Sequence, residues 1–384
     1  MGCNIDAPHV QVDETSFIGD GVTIRGESIL IGPGVRIADG VTILCDELVL
    51  GAECRISGDT QIICPKVQWA EGCSSGIGFR AELNEHIVLG RYSSIGARVA
   101  MSGQSVEAGE FLWLKDEVLI GGGGAKGPRS RLRIGDRTSV FDRSYINLSE
   151  SVSMGSNSAL SYNVVILTHG AWQPALQGYP TSFAPVAIGD FCVVYLNSVI
   201  LPGVTIGDYS TIAAGAVVKS SVPDHCLAAG NPATVKRGPS DYPRPLSAEA
   251  ARALVLEVLA EYATTLAPKG VLILEDRIRE RGWLSVWYED LEFWVGLEEQ
   301  LPDAGARGRR IISLGFGSAG RPSAGDCHFD LRELVAEGPL CALAEDLRDF
   351  LRRRAIRIFT GKPFKTLPLA NLARLRRRAP KDGP

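Results

Sequence analysis

The chain has 384 residues, of which 45% are hydrophobic and 22% charged, and its 40 basic and 44 acidic side chains give a formal net charge of −4. At about 150 residues per domain that is two or three packed units. The apolar content excludes a disordered chain, and the charge excludes a global positive field for nucleic acid. The opening MGCNIDAPHVQVDETS lacks a basic n-region followed by an apolar core, and nowhere do eighteen apolar residues run uninterrupted. The expectation is a cytoplasmic protein with no membrane span. Asp6 stands where an N-myristoylation pattern wants Ser or Thr, so Gly2 is read as unmodified.

The 43 glycines have no collagen period, which points to turns repeated at fixed intervals. The interval is six. Aliphatic residues fall at Ile18, Ile24, Ile31, Ile37, Ile43, Leu50, Ile56 and Ile62 with two steps of seven, then at Ile134, Val140 and Ile146, and at Met154, Leu160 and Ile166. From Ile188 they continue through Val194, Ile200, Ile206, Ile212 and Val218 without a slip. Neither a helix nor an alternating strand has that period. It is the mark of a parallel β-helix, in which one aliphatic side chain per short strand points inward and small residues allow the corner that follows. We place N-terminal coils in residues 1–75 and the main β-helix in 76–237, with weaker repeats over 76–133.

The nine cysteines contain no CxxC spacing, and Cys45, Cys54, Cys64 and Cys73 recur every nine or ten residues. That spacing fits small buried side chains on stacked strands, not metal ligands, and no metal is expected. Gly121 to Gly124 are read as a turn, because no Gly-Lys-Ser/Thr follows them.

After Arg237 a proline-rich linker, GPSDYPRP, leads to a small α/β domain over 245–384. Ser247 is the N-cap of a first helix. GVLILE, WLSVWY, RRIISLGF, CHFDL and IRIFT read as strands, and the stretch from Pro339 to Arg354 as an amphipathic helix. From Arg348 to Arg378 eleven positive charges stand against Asp349 alone. Such a run is a solvated face or a contact for an acidic partner: CoA phosphates, a nucleotide sugar or an acyl carrier protein.

The segment from LSYNVVILTHG through VAIGDFCVVYLNSVILPGVTIGDYSTIAAGAVVKS to GNPATVKR resembles the hexapeptide-repeat acyltransferases, the left-handed β-helix group of maltose O-acetyltransferase and related sugar and antibiotic acetyltransferases. The match covers residues 134–237. The resemblance implies a mainly β fold, a homotrimer with sites between neighbouring prisms, and acetyl-CoA or another acyl-CoA as co-substrate for acylating a small-molecule acceptor. The sequence departs from the family where FCVVY follows IGD.

His169 follows the strand VVIL and opens an excursion over residues 170–185 before the hexads resume at Ile188. Long loops leaving a regular solenoid are disproportionately functional. By resemblance His169 is the general base, a task that suits imidazole near neutral pH. His9, His86, His225 and His328 are read as structural or solvated. With no second histidine within fifty residues of His169, a γ-class carbonic anhydrase zinc site is not supported.

One coil back, Ile146 aligns with Ile166, so Glu150 becomes the candidate orienter of the imidazole. Asn147 and Asn163 become candidate polar contacts for the acceptor, and Trp172 and Tyr179 candidate stacking surfaces. By resemblance Ala214, Gly215 and Ala216 line the donor track. Lys219, Lys236 and Arg237 lie near its phosphate end. A trimeric scaffold without catalysis is the competing reading.

Overall fold

The computed structural model describes residues 2–122, 127–302, 309–317 and 323–372. These divide into two compact units, Met1–Arg244 and Pro245–Pro384. Among the described residues no helix is long and apolar enough to cross a membrane.

The first unit is a parallel β-solenoid. Short strands of two to four residues pair with the equivalent strand of the next coil, so Ile5, Ile24, Ile43 and Ile62 stand in register at a rise of nineteen residues. The two seven-residue steps of the pattern account for a coil of nineteen in place of eighteen. The aliphatic residues of the hexads fill one continuous interior, from Ile24 and Ile43 through Val140 and Ile166 to Ile212 and Val218. That interior crosses residue 75 without interruption, since Ser74–Ser75 pairs with both Arg55–Ile56 and Ser94–Ile95. No domain boundary therefore falls between 75 and 76.

The weak repeats have a physical cause. Arg80–Leu89 and Ala100–Ala108 each run as one long strand past a corner that other coils turn, with a register shift between Leu83 and His86. A hexad count slips where the corner is flattened.

The recurring Gly-Asp pairs are capping devices. The Asp208 carboxylate accepts the N–H of Asp190 at 2.7 Å, and Asp224 accepts that of Asp208 at 3.0 Å. A Cβ at Gly189 would lie 2.1 Å from the Asp208 carboxylate, so only glycine fits beneath it. Corner residues take left-handed φ near 55°, including the bulky Phe191, Tyr209 and His225. Their rings stack at 4.8 Å and within 5° of parallel, which offsets the strain of that conformation.

The second unit carries a six-stranded mixed sheet in sequence order: Leu272–Arg277, Trp283–Tyr288, Leu291–Leu297, Arg309–Gly315, Cys327–Asp330 and Val335–Glu337. Ser247 caps the helix Ala248–Thr264 by accepting from the Ala250 N–H. A second helix spans Ala342–Arg352. Two sequence expectations need correction. The strand Leu291–Leu297 was not anticipated; it follows a two-residue hairpin at Glu289-Asp290, where both residues take positive φ without glycine. IRIFT forms only an isolated bridge at Phe359, and its Ile358 carbonyl accepts from Arg348 instead of a strand neighbour.

Candidate active site

One corner of the solenoid produces both of its excursions. Gly121 pairs with Asn147 and Ile146 with Ile166, while Leu132 pairs with Val152 and Val152 with Val186. Gly122 and residues 127–130, like residues 167–185, therefore lie off the same corner, one coil on either side of 148–151. The later excursion is closed at its base by an antiparallel pair, His169 with Phe183 and Gly170 with Ser182.

His169 sits at that base, half-buried, with its ring stacked on Phe183 at 5.6 Å. Its Nδ1 meets Asn147 Oδ1 at 2.9 Å and Ser149 Oγ at 3.0 Å. The Asn147 oxygen also accepts the Thr168 and Ser149 N–H groups, each at 3.3 Å, and the Thr168 hydroxyl at 2.7 Å. Backbone N–H groups only donate, which fixes the oxygen end of the amide on this side. An amide oxygen cannot donate either, so Nδ1 carries the proton and the neutral ring has a lone pair on Nε2. Among the described residues Nε2 meets no hydrogen-bonding partner. A half-buried imidazole with a fixed tautomer and an unengaged Nε2 is equipped to take a proton from a bound hydroxyl or amine.

Three sequence assignments change. Glu150 does not touch the imidazole; its carboxylate, nearly buried, pairs with Arg129 at 3.0 Å, and its N–H goes to the Thr168 hydroxyl. Asn147 is fully buried and its oxygen is spent on this network, so it holds the base and does not meet the acceptor. Ala216 is fully buried in the solenoid interior and cannot line an outer track with its side chain. Ser149 was placed near His169 by the alignment of Ile146 with Ile166, whereas Thr168 and Phe183 were missed. Their signal was proximity in register, which a hexad count gives only once the corner is known.

Lys219, Asn163, Ala214 and Gly215 fall on two corners. Lys219 follows Val218, which pairs through Ile200 to Ile166, so it lies exposed on the His169 corner two coils on, a rise of ~10 Å at the usual strand spacing. Asn163, Ala214 and Gly215 share the preceding corner, where Asn163 donates to Asn197 at 3.3 Å and Gly215 donates its N–H to Leu196. Trp172 is 98% exposed and Tyr179 45% exposed on the excursion. Lys236 and Arg237 are exposed on the strand Ala233–Arg237, and the Arg237 guanidinium lies 3.9 Å from Asp241.

Four residues of the basic run are engaged within their own unit. Arg348 is fully buried and bonds Glu345 and the Ile358 and Pro363 carbonyls, Arg352 and Arg353 pair with Asp349, and Arg354 with Glu261. Arg374, Arg376, Arg377 and Arg378 lie outside the described residues. Among the described residues no group of three or more His, Cys, Asp or Glu side chains is placed to hold a metal ion.

Residues 185–220 match the bacterial transferase hexapeptide model of six repeats. The chain is 36% identical over 104 residues to YvoF of Bacillus subtilis (strain 168), a candidate acetyltransferase, covering 27% of this chain and 58% of that protein. It is 31% identical over 107 residues to WcaF of Escherichia coli (strain K12), a candidate colanic acid biosynthesis acetyltransferase, covering 28% of this chain and 58% of that one. The chain thus spans a little over half the length of these relatives. Among solved structures it is similar to the hexapeptide-repeat acetyltransferase VCA0836 of Vibrio cholerae O1 biovar eltor, complexed with acetyl coenzyme A, at 25% identity and a TM-score of 0.22, covering 32% of this chain and 60% of that one. By its repeat and by these sequence relatives, the solenoid unit of this chain is similar to the hexapeptide-repeat transferases.

Proposed function

We propose that the solenoid unit transfers an acyl group, acetyl first among them, from acyl-CoA to a hydroxyl or amine of a small molecule, with His169 as general base. The observation that carries this reading is the ring itself: Nδ1 is held by Asn147 and Ser149, and Nε2 is left without a partner at the mouth of an excursion. In the reaction Nε2 takes the acceptor proton as the acceptor oxygen or nitrogen attacks the thioester carbonyl. The tetrahedral intermediate collapses with cleavage of the C–S bond, and the proton on Nε2 passes to the departing thiolate. The products are the acylated acceptor and CoA.

The other residues divide by corner. Lys219, Lys236 and Arg237 supply cations for the CoA phosphates. Trp172 and Tyr179 offer flat surfaces to the acceptor. The working unit is a homotrimer with the site between prisms, in which a neighbouring copy brings the corner of Asn163, Ala214 and Gly215 to His169. The test is mass spectrometry of products formed from acetyl-CoA and a panel of hydroxyl and amine acceptors. Acetylated product made by the wild type and not by His169→Ala supports the reading, and equal product from both removes it.

A further inference from the structure

The fixed tautomer of His169 has its own machinery, built on the coil that carries the ring and the coil before it. Asn147 Nδ2, the end of the amide that faces away from the ring, donates to the Tyr145 hydroxyl at 3.0 Å. The opposite end is held by Thr168, whose hydroxyl lies 2.7 Å from Asn147 Oδ1 and 3.1 Å from the Asn147 carbonyl, and which accepts the Glu150 N–H at 3.1 Å. Thr168 and Asn147 are both fully buried. The amide is therefore gripped at both ends by hydroxyls from successive coils, one coil carrying Tyr145 and Asn147 and the next carrying Thr168 and His169.

We infer that Thr168 and Tyr145 are positioning residues that set the protonation pattern of His169 through Asn147. The inference rests on the reading of His169 as base. Its chemistry is a choice between two orientations of one side chain. With oxygen toward the ring, Nδ1 must carry the hydrogen and Nε2 is bare. With the NH2 group toward the ring, Nδ1 must accept, the hydrogen moves to Nε2, and the ring has no lone pair to offer an acceptor at its open edge. Thr168 favours the first state by giving the oxygen a hydroxyl donor. Tyr145 favours it by giving the NH2 group an acceptor on the far side.

Gly122 shows how closely the phenol is seated. It has φ +75° at the start of the earlier excursion, and a Cβ there would lie 2.6 Å from the Tyr145 hydroxyl. Both excursions thus bear on the same amide, one through its contact with Tyr145 and the other through Thr168.

The test is nitrogen NMR of the full-length protein carrying 15N-histidine, with the His169 signals identified by their loss in His169→Ala. The neutral wild-type ring should show a pyrrole-type Nδ1 and a pyridine-type Nε2. Thr168→Val keeps the shape and removes the hydroxyl, and both nitrogens should move toward the average of the two tautomers. Thr168→Ser should restore the wild-type pattern, a rescue that a purely steric role for Thr168 would not give. Tyr145→Phe should shift the nitrogens in the same direction by a smaller amount, and it carries the test if Thr168→Val does not fold. A wild-type ring protonated on Nε2 overturns the inference, as do folded Thr168→Val and Tyr145→Phe proteins with wild-type shifts. The second result leaves His169 as base untouched. Conversely, acyl transfer by His169→Ala would overturn the base and leave the nitrogen pattern standing.

Discussion

At the scale of single residues, chemistry follows burial and partners more closely than residue type. Burial, reinforced by Asp46, pushes the Cys45 thiol up to about 12, and burial pushes Cys64 up to about 11. The thiolate is the nucleophile, so a raised value keeps both groups protonated and slow at neutral pH, with reactivity returning only as pH climbs toward those values. Cys3 is exposed. Alkylation at neutral pH, followed by peptide mass spectrometry, should label Cys3 well before Cys45 or Cys64; equal rates would contradict the buried assignment. His169 was legible in the sequence because it stands where the hexads stop. Asn147 and Glu150 were placed in the right neighbourhood by the alignment of Ile146 with Ile166, and then given the wrong tasks. Residues 147–150 are all buried, since the excursions on either side cover their corner, and a hexad count assumes that corner residues face water.

At the scale of elements, the solenoid is a set of columns, and a polar atom inside one has no recourse. Thr60 is 1% exposed in the column between Val41 and Phe79, and among the described residues its hydroxyl has no hydrogen-bonding partner. Thr60→Val replaces that hydroxyl with a methyl of the same shape. It should stabilise the solenoid by about 1 kcal/mol, the usual cost of an unmade buried hydrogen bond, and raise Tm. A lower Tm would mean that the hydroxyl is satisfied. Regular columns were readable at a distance because one aliphatic residue per strand is enough to announce them. The long strands Arg80–Leu89 and Ala100–Ala108 were not, because flattening a corner removes the six-residue step. In the second unit the hairpin at Glu289-Asp290 was missed for want of the usual glycine, both residues taking positive φ without it.

At the scale of the whole molecule, the two units have separate cores, one a stack of coils and the other built on Leu259, Tyr262, Val295, Phe329 and Leu347. Residues 1–244 should therefore fold without the rest, with a cooperative melt, and by light scattering run at about three times their own chain mass. A folded monomer at micromolar concentration would remove the inter-subunit site from the proposed function. The composition change after Arg237 precedes the second unit, which begins at Pro245. The central claim is that one side chain performs one proton transfer, and the most direct measurement is kcat/KM for acyl transfer by His169→Ala beside the wild type. With folding and CoA binding intact, the account predicts a fall of ~10²- to 10⁴-fold, the worth of a positioned proton acceptor. A folded, CoA-binding His169→Ala protein that turns over within about threefold of wild type, well short of that range, would contradict it.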